Sequence, residues 1–217
     1  MSPEYLSLAQ KRVEAKCSPH KQPEDFGYDF RSWVSPYTKG AHKVGNVALV
    51  LQDWASANGL GVEPDPVIQL YGRTPNLLTN VRLEQLLSEV LGLRLCDVYA
   101  TNAFPFVKAG GMSARIPTRD VQNAASQFLA LELKLANPAV VLALGAVAHS
   151  ALLGCGVPCI RLPHPAARIG NVIQHERIWR AALSSASIEV RPQHSALVAE
   201  PRYSLNSMQL SIFSRAE

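Results

Sequence analysis

The sequence predicts an α/β protein of three layers, in which a central four-stranded, mainly parallel sheet is flanked by helices. Two observations lead to this prediction. Four short apolar segments are each followed by a polar residue or a glycine, and amphipathic segments with helical spacing separate them. Because two parallel strands need a long crossover between them, this alternation favours a parallel sheet covered on both faces.

The strand candidates are short and apolar. They run from Val47 to Leu51, from Asp97 to Thr101, from Ala139 to Leu144 and from Cys159 to Leu162. Each is rich in the aliphatic residues that fill a buried parallel sheet.

The helix candidates lie between these strands. Apolar residues recur every three to four positions in 76–92, which ends at Gly92, and in a segment that starts at Pro117 and stops before Pro138. A shorter helix is predicted at 146–154 and a last one at 172–186. The order of elements is therefore strand and helix in alternation.

One domain accounts for most of the 217 residues. Residues 1–45 are rich in charge, proline and aromatic residues without a sustained period, which predicts a wrapping N-terminal arm with at most a short helix at its start. Residues 46–190 form the predicted α/β domain. Residues 191–217 have no clear period and are interpreted as a C-terminal tail.

The composition is that of a globular protein. Hydrophobic residues make up 47% and charged residues 18%, and the apolar runs are well short of a membrane span. The mixed polar beginning does not resemble a secretory signal, so we expect a cytoplasmic monomer without membrane contact. The formal charge of +4 indicates a mild preference for polyanions such as nucleic acids.

Several common kinds of site lack their motifs. The four cysteines contain no CxxC pair, so no metal site and no cofactor are predicted. The nucleophile motif GxSxG, the phosphate loop GxxxxGK[ST] and the dinucleotide motif GxGxxG do not occur.

Polar residues follow the predicted strands. Gln52 and Asp53 follow the first, Asn102 the second and His164 the fourth, while Gly145 follows the third. Ligands of open parallel sheets bind where the carboxyl ends of the strands converge, so we expect a carboxylate, a carboxamide and an imidazole at one edge.

Each of these residues also has a purely structural explanation. Asp53 is a favoured helix cap, Asn102 a common turn residue, and His164 lies between two prolines in what could be a rigid loop. The combination at one sheet edge is what favours a functional site.

Four stretches in order resemble the uracil-DNA glycosylase superfamily. "LVLQDWAS" is similar to its first catalytic loop, "YATNAFPFV" to the strand that ends in a base-reading asparagine, "VVLALGAVA" to a structural strand and "LPHPAAR" to its histidine loop. The resemblance spans about Val44 to Arg180. It implies a monofunctional DNA glycosylase that flips a damaged base from DNA and hydrolyses its N-glycosidic bond.

The resemblance also implies roles for the candidate residues. Asp53 would orient the attacking water and stabilise the cationic sugar, and His164 would donate a hydrogen bond to the departing base. Asn102 would recognise the uracil edge, and Gln52 lies where the loop contacts the base.

Basic residues are expected to bind DNA around this site. Arg168 matches the position from which family members insert a side chain into the emptied stack, as arginine does in the single-strand-selective branch; an ordinary solvated arginine is the alternative. Arg161 and Lys108, with Arg115 and Arg119, are expected to contact phosphates.

The chain departs from the family pattern in the first loop. Leu51 replaces a glycine, Trp54 a proline, and Ala55 the tyrosine that excludes thymine, so thymine or another altered base could enter unless Trp54 fills the gap.

A second departure concerns the iron-sulfur branch. "LYGRTPNLLTN" is similar to a segment of that branch, with Pro75 in place of its stacking phenylalanine, which makes Tyr71 the substitute candidate; a core or surface tyrosine is the alternative. The branch's cysteine cluster is not matched, so no iron-sulfur cluster is expected.

Two functions remain open from the sequence. The first is a DNA repair glycosylase that removes uracil or a related base. The second is a non-catalytic nucleic-acid-binding relative, or an enzyme for another substrate class on the same fold. The combination of Asp53, Asn102 and His164 favours the first, because a binding protein has no need of it.

Overall fold

A four-stranded parallel sheet forms the centre of the protein, in a computed structural model that describes residues 1–188. The strands are β1 (Val47–Ser56), β2 (Tyr99–Lys108), β3 (Val140–Leu144) and β4 (Ile160–Leu162), and they lie in the order β2-β1-β3-β4. The predicted fold class is confirmed. The sheet is parallel at every pairing.

Helices connect these strands and cover both faces. They are α1 (Pro3–Glu14), α2 (Pro66–Tyr71), α3 (Leu78–Leu86) with a π-helical turn at Leu87–Leu91, α4 (Thr118–Ala124), a π-helical turn at Ala125–Leu129, α5 (Ala130–Ala136), α6 (Ala146–Gly154) and α7 (Val172–Ser185). Short 3₁₀ turns occupy Pro23–Phe26, Pro36–Gly40, Ala57–Gly59 and Leu95–Asp97. None of the helices within residues 1–188 has the length and apolar character needed to cross a membrane.

Alternate residues of β1 point to opposite faces of the sheet. Ala48 and Val50 belong to one hydrophobic cluster, with α1 and the helices between β2 and β3, whereas Leu49 and Leu51 belong to the other, with α3 and α7. This alternation explains why the strand is apolar at successive positions: it is buried on both sides. Three layers result.

Strands β1 and β2 continue further than the sequence predicts. The two remain paired past Leu51 and Asn102 up to Ser56 and Lys108, so Gln52 and Asp53 lie within a strand rather than in a loop. The register slips by one residue where Asp53 pairs with Phe104 but Ala55 with Val107. Pro105 lies in this bulge, where its lack of an N–H leaves no gap in the ladder.

The N-terminal segment 1–45 packs into the domain. Its residues Leu8 and Val34 belong to one hydrophobic cluster and Tyr37 to the other. The segment is organised by Arg12, whose fully buried guanidinium pairs with the Glu24 carboxylate at 2.6 Å and also donates to backbone carbonyls. The arm is therefore part of the core. The predicted tail, 191–217, lies outside the described residues.

Candidate active site

A pocket of about 450 Å³ opens at the carboxyl edge of the sheet. We call it the sheet-edge pocket. Its walls come from the second half of β1, the end of β2, the loop after β4, the start of α3 and the arm. Five of the predicted site residues line or enter it, namely Gln52, Asp53, Trp54, Lys108 and His164. The pocket lies where an open parallel sheet places its ligands.

Asp53 is held in the pocket by two neighbours. Gln52 Nε2 donates to its Oδ1 at 2.6 Å, and Lys108 Nζ lies 3.1 Å from its Oδ2. The side chain is 14% exposed, so the carboxylate is accessible only through the pocket. Bulges next to active sites re-aim side chains, and the register slip on the neighbouring strand directly follows the Asp53 pairing.

Lys108 lies inside the pocket, and its predicted contact with phosphate stays a prediction. Its side chain is 7% exposed, and its Nζ donates to the Met112 carbonyl at 2.7 Å as well as pairing with Asp53. The sequence predicted a phosphate contact because Lys108 lies near the edge where the site was expected; in the structure the second strand continues to Lys108, and its side chain is turned inward.

His164 is a neutral hydrogen-bond donor in this geometry. Its Nδ1 accepts from the backbone N–H of Ala166 at 3.2 Å, so the ring proton is on Nε2. Burial lowers the pKa of His164 below its ordinary value; the Asp53 charge partly offsets this effect and His175 adds to it. The imidazole is therefore uncharged near neutral pH and has one N–H to donate.

Helix α7 fixes the loop that contains His164. His175 Nε2 lies 3.0 Å from the carbonyl of Ala167, and Trp179 Nε1 donates to the carbonyl of Pro163 at 3.3 Å. The two side chains are one helical turn apart and contact carbonyls on either side of His164. His175 is buried, and its contact with the Ala167 carbonyl supports the loop of the candidate site.

Trp54 forms one wall of the pocket and joins it to the arm. Its Nε1 donates to the carbonyl of Gly72 at 2.8 Å, and its ring meets those of Tyr28 and Phe30 edge-on at 5.7 and 5.6 Å. This packing fixes the indole where the family has a proline. The arm thus contributes to the shape of the pocket.

Asn102 does not reach the pocket surface. Its side chain is buried, its Oδ1 accepts from Ser35 Oγ at 2.6 Å, and its Nδ2 has no partner among residues 1–188. Neither Asn102 nor Ser35 belongs to the pocket lining. The structure therefore brings Asp53 and His164 together and leaves the third member of the predicted trio behind the pocket wall.

The remaining predicted residues lie outside the lining. Tyr71 ends α2 with 45% of its surface exposed and is not part of the pocket lining, so its stacking role stays a prediction. Arg161 and Arg168 are both exposed. Arg168 comes two residues after Ala166, which lines the pocket, and so lies near its rim.

Sequence reasoning missed several residues of the lining. Tyr37 donates to Asn80 Oδ1 at 2.6 Å, and Asn80 Nδ2 donates in turn to the carbonyl of Thr74 at 2.7 Å. Arg73 stacks over the Tyr37 ring and pairs with Glu84. The stretch "LYGRTPNLLTN" signalled this wall in part, but nothing in the arm indicated Tyr37.

Metal ligands are not grouped in the part of the chain that the structure describes. Within residues 1–188 no three His, Cys, Asp or Glu side chains are arranged to hold a metal ion, and all four cysteines are free. The prediction that no cofactor is needed stays a prediction.

The fold and pocket define a three-layer α/β protein with a carboxylate and a neutral imidazole at the carboxyl edge of its sheet. A family model for the uracil DNA glycosylase superfamily matches residues 63–183, and the chain belongs to this family. Proteins of this family generally hydrolyse N-glycosyl bonds and act on DNA. The matched range includes Lys108 and His164 but begins after Asp53. No curated protein matches the chain.

Proposed function

We propose that this protein is a DNA repair glycosylase that takes uracil or a related deaminated base into the sheet-edge pocket and hydrolyses its N-glycosidic bond. The observation that supports this most directly is that Asp53 and the neutral His164 belong to one pocket. The proposed product is an abasic site in DNA.

Asp53 would act on the sugar side of the bond. Cleavage of an N-glycosidic bond passes through a transition state with oxocarbenium character, and a carboxylate beneath the sugar stabilises that positive charge and orients the attacking water. Gln52 and Lys108 each bind a different oxygen of Asp53, so the carboxylate cannot rotate freely. Such preorganisation avoids a reorganisation cost during the reaction.

His164 would act on the base side. Negative charge develops on the leaving base, and Nε2–H of His164 would donate to the carbonyl oxygen on which it collects. A neutral donor is sufficient, because a uracil anion needs a hydrogen bond rather than a full proton. Because Nδ1 accepts from Ala166, Nε2 is the nitrogen that would donate.

Base selection would depend on the shape of the pocket and on Asn102. Ala55 is small where the family has a tyrosine, and a pocket of about 450 Å³ has room for a flipped base. Ser35 fixes Oδ1 of Asn102 and leaves Nδ2 as its free donor within the described chain. A donor favours a carbonyl edge such as that of uracil over the amino edge of cytosine, but the base would reach it only if the pocket wall moved.

The exposed Arg161 and Arg168 would bind the DNA strand. Arg168 lies near the pocket rim, where a planar guanidinium can stack on a base and pair with phosphate. Binding should weaken as salt is added, because these contacts release counterions.

The test is a cleavage assay on labelled oligonucleotides. Each carries one uracil, thymine mismatch, hypoxanthine or xanthine, in single- and double-stranded form, and abasic sites are revealed by alkali. Asp53→Asn should lower base release by about 10²- to 10⁴-fold while duplex binding is retained. Asp65→Asn is the matched control, because Asp65 is an exposed helix cap and asparagine caps equally well.

Two results would contradict the proposal. Folded protein that binds DNA but releases no base from any substrate would support the non-catalytic binding function instead. Equal loss of binding and base release in Asp53→Asn would show that Asp53 is structural. An Asn102→Asp variant with unchanged preference between uracil and cytosine would remove Asn102 from base selection.

A further inference from the structure

Tyr37 and Asn80 form a hydrogen-bonded pair in the wall of the sheet-edge pocket. The Tyr37 hydroxyl donates to Asn80 Oδ1 at 2.6 Å, and Asn80 Nδ2 donates to the carbonyl of Thr74 at 2.7 Å. Both side chains are buried, and both residues belong to the pocket lining. Asn80 therefore meets the pocket in the described conformation, whereas Asn102 would reach it only after a movement of the wall.

The hydrogen bonds fix which groups of this pair remain for a ligand. The carbonyl of Thr74 can only accept, so the Asn80 amide turns its nitrogen towards Thr74 and its oxygen towards Tyr37. Burial raises the pKa of Tyr37, so its hydroxyl keeps the hydrogen that it donates to Asn80. The bonds within residues 1–188 leave one hydrogen of Asn80 Nδ2 and a lone pair of Tyr37 Oη unused. The wall thus has one donor and one acceptor next to each other, and their order is fixed.

Arg73 adds a second donor to the same wall. Its Cζ lies 5.9 Å from the centroid of the Tyr37 ring, and its side chain is 10% exposed. The two terminal nitrogens contact the Tyr71 carbonyl and Glu84, whereas Nε is buried and has no partner among the described residues. A buried donor without a partner is costly. This wall therefore favours a ligand that brings a carbonyl oxygen.

We propose that Asn80 and Tyr37 recognise the flipped base through its lactam edge, in which a ring N–H lies next to a carbonyl. The inference rests on the proposed glycosylase function and names the bases that the pocket selects. Asn80 Nδ2 donates to the carbonyl and Tyr37 Oη accepts from the ring N–H. Uracil, hypoxanthine and xanthine all have this edge.

The parent bases cytosine and adenine have the reverse pattern. Each presents an amino group next to an unprotonated ring nitrogen, so donor would face donor and acceptor would face acceptor in this wall. The pair therefore separates uracil from cytosine and hypoxanthine from adenine. It does not separate uracil from thymine, which has the same edge.

This recognition is compatible with the role proposed for His164. The ring N–H of uracil lies between two carbonyls. His164 donates to one of them, and Asn80 donates to the other while Tyr37 accepts from the N–H between them. His164, Asn80 and Tyr37 all belong to the pocket lining.

Binding to oligonucleotides that resist cleavage tests the proposal without depending on catalysis. Fluorine at C2′ of the sugar disfavours the oxocarbenium transition state, so 2′-fluoro-deoxyuridine and 2′-fluoro-deoxycytidine keep their bases. Each is placed opposite an abasic analogue, so that base pairing does not differ, and a tetrahydrofuran in the same position provides a site without a base. By fluorescence anisotropy the wild-type protein should prefer uracil over cytosine by about 10- to 100-fold.

Tyr37→Phe is the decisive variant. It keeps the ring but removes the acceptor and the hydroxyl that orients Asn80, so the preference should fall below about threefold while affinity for the tetrahydrofuran site is unchanged. Asn80→Ala should lose the preference as well, and melting temperatures verify that both variants fold. Tyr5→Phe is the matched control: it removes another buried tyrosine hydroxyl of the arm, which bonds to Glu132 outside the pocket lining, and should keep the preference.

The outcomes separate this inference from the proposed function. A uracil preference that persists in folded Tyr37→Phe and Asn80→Ala would overturn it, and so would an equal loss of affinity for all three sites, which would indicate a structural role. A preference lost only in Asn102→Ala would assign base recognition to Asn102 instead. Base release from an ordinary uracil oligonucleotide is measured in parallel: a uracil preference that depends on Tyr37 without base release would support this inference and contradict the hydrolysis alone.

Discussion

Gly145 and His164 touch across the ends of adjacent strands. A Cβ placed on Gly145 would lie 3.3 Å from Cβ of His164, and the backbone of Gly145 has φ +98° and ψ 172°, a conformation open almost only to glycine. Its N–H donates to the carbonyl of Leu162 at 2.8 Å, which ties the end of β3 to the end of β4. The position of the histidine therefore depends on the absence of a side chain one strand away.

Gly145→Ala should reduce base release more than its effect on stability explains. Backbone strain should cost about 1–3 kcal/mol of unfolding free energy, and the added methyl group should also displace His164. Gly156→Ala is the control: Gly156 has φ +67° and open space around it, so it should lose stability but not activity. Denaturant unfolding and single-turnover cleavage measure the two effects; equal activities in both variants would contradict this account.

The pKa of His164 should fall further when Asp53 loses its charge. Burial lowers this pKa and the Asp53 charge partly opposes the effect, so Asp53→Asn removes the opposing contribution. NMR titration of the imidazole protons, assigned with His164→Gln, measures the change. A higher pKa in Asp53→Asn would show that the two groups do not interact as the geometry indicates.

Glu132 is a fully buried carboxylate on the side of the sheet that α1 and α5 cover. It accepts from the hydroxyls of Tyr99 and Thr101 at 2.8 and 2.7 Å, and from Tyr5 and Thr38 at longer distances. Burial raises its pKa to about 7, although the four hydroxyl donors oppose the rise. The cluster joins the arm to β2 and α5.

The contribution of Glu132 to stability should therefore be lost between pH 4.5 and pH 7. The folded state keeps a proton on Glu132 that the unfolded state has already lost, so this contribution is complete below pH 4.5 and disappears as pH rises through about 7. The effect is of the order of a few kcal/mol. Glu132→Gln should flatten this part of the pH profile in denaturant unfolding, whereas the exposed Glu14→Gln should not; identical profiles would exclude Glu132 as the source.

Arg12→Met should destabilise the protein by about 3 kcal/mol, because it leaves a largely buried Glu24 without its partner. The carbonyls of Phe30 and Trp33 would lose their donor as well. Arg31→Met is the matched control in the same arm: Arg31 is 66% exposed in its pair with Asp29, so its loss should change stability by at most about 1 kcal/mol. Chemical denaturation compares them, and similar effects would mean that the arm is not held by Arg12.

The four strands and the candidate catalytic residues Asp53 and His164 could be predicted because their signals are local in the sequence. Apolar runs indicated four strands, and the polar residues at their ends indicated Asp53 and His164. The extension of β1 and β2 could not be predicted, because polar residues within a strand look like a loop in the sequence until the partner strand is known. The long pairing of these strands depends on contacts between residues about 50 positions apart.

Two further features could not be predicted from the sequence, for a related reason: the inward side chain of Lys108 and the burial of Asn102. The direction of Lys108 follows from the bulge at Pro105, and Asn102 is covered by Ser35 of the arm. After α1 the arm shows no period, and Arg12 holds this part in place through hydrogen bonds to the carbonyls of Phe30 and Trp33. Such long-range hydrogen bonds leave no local pattern.

The central position of β1 has a consequence for any fragment defined by similarity alone. The family match begins at residue 63, whereas β1 ends at Ser56 and pairs with both β2 and β3. A chain cut to the matched range would lack Asp53 and β1, one of the two central strands of the sheet, and β2 and β3 would have no strand between them. The smallest part of this chain that can form the sheet is therefore larger than the range that the family model matches.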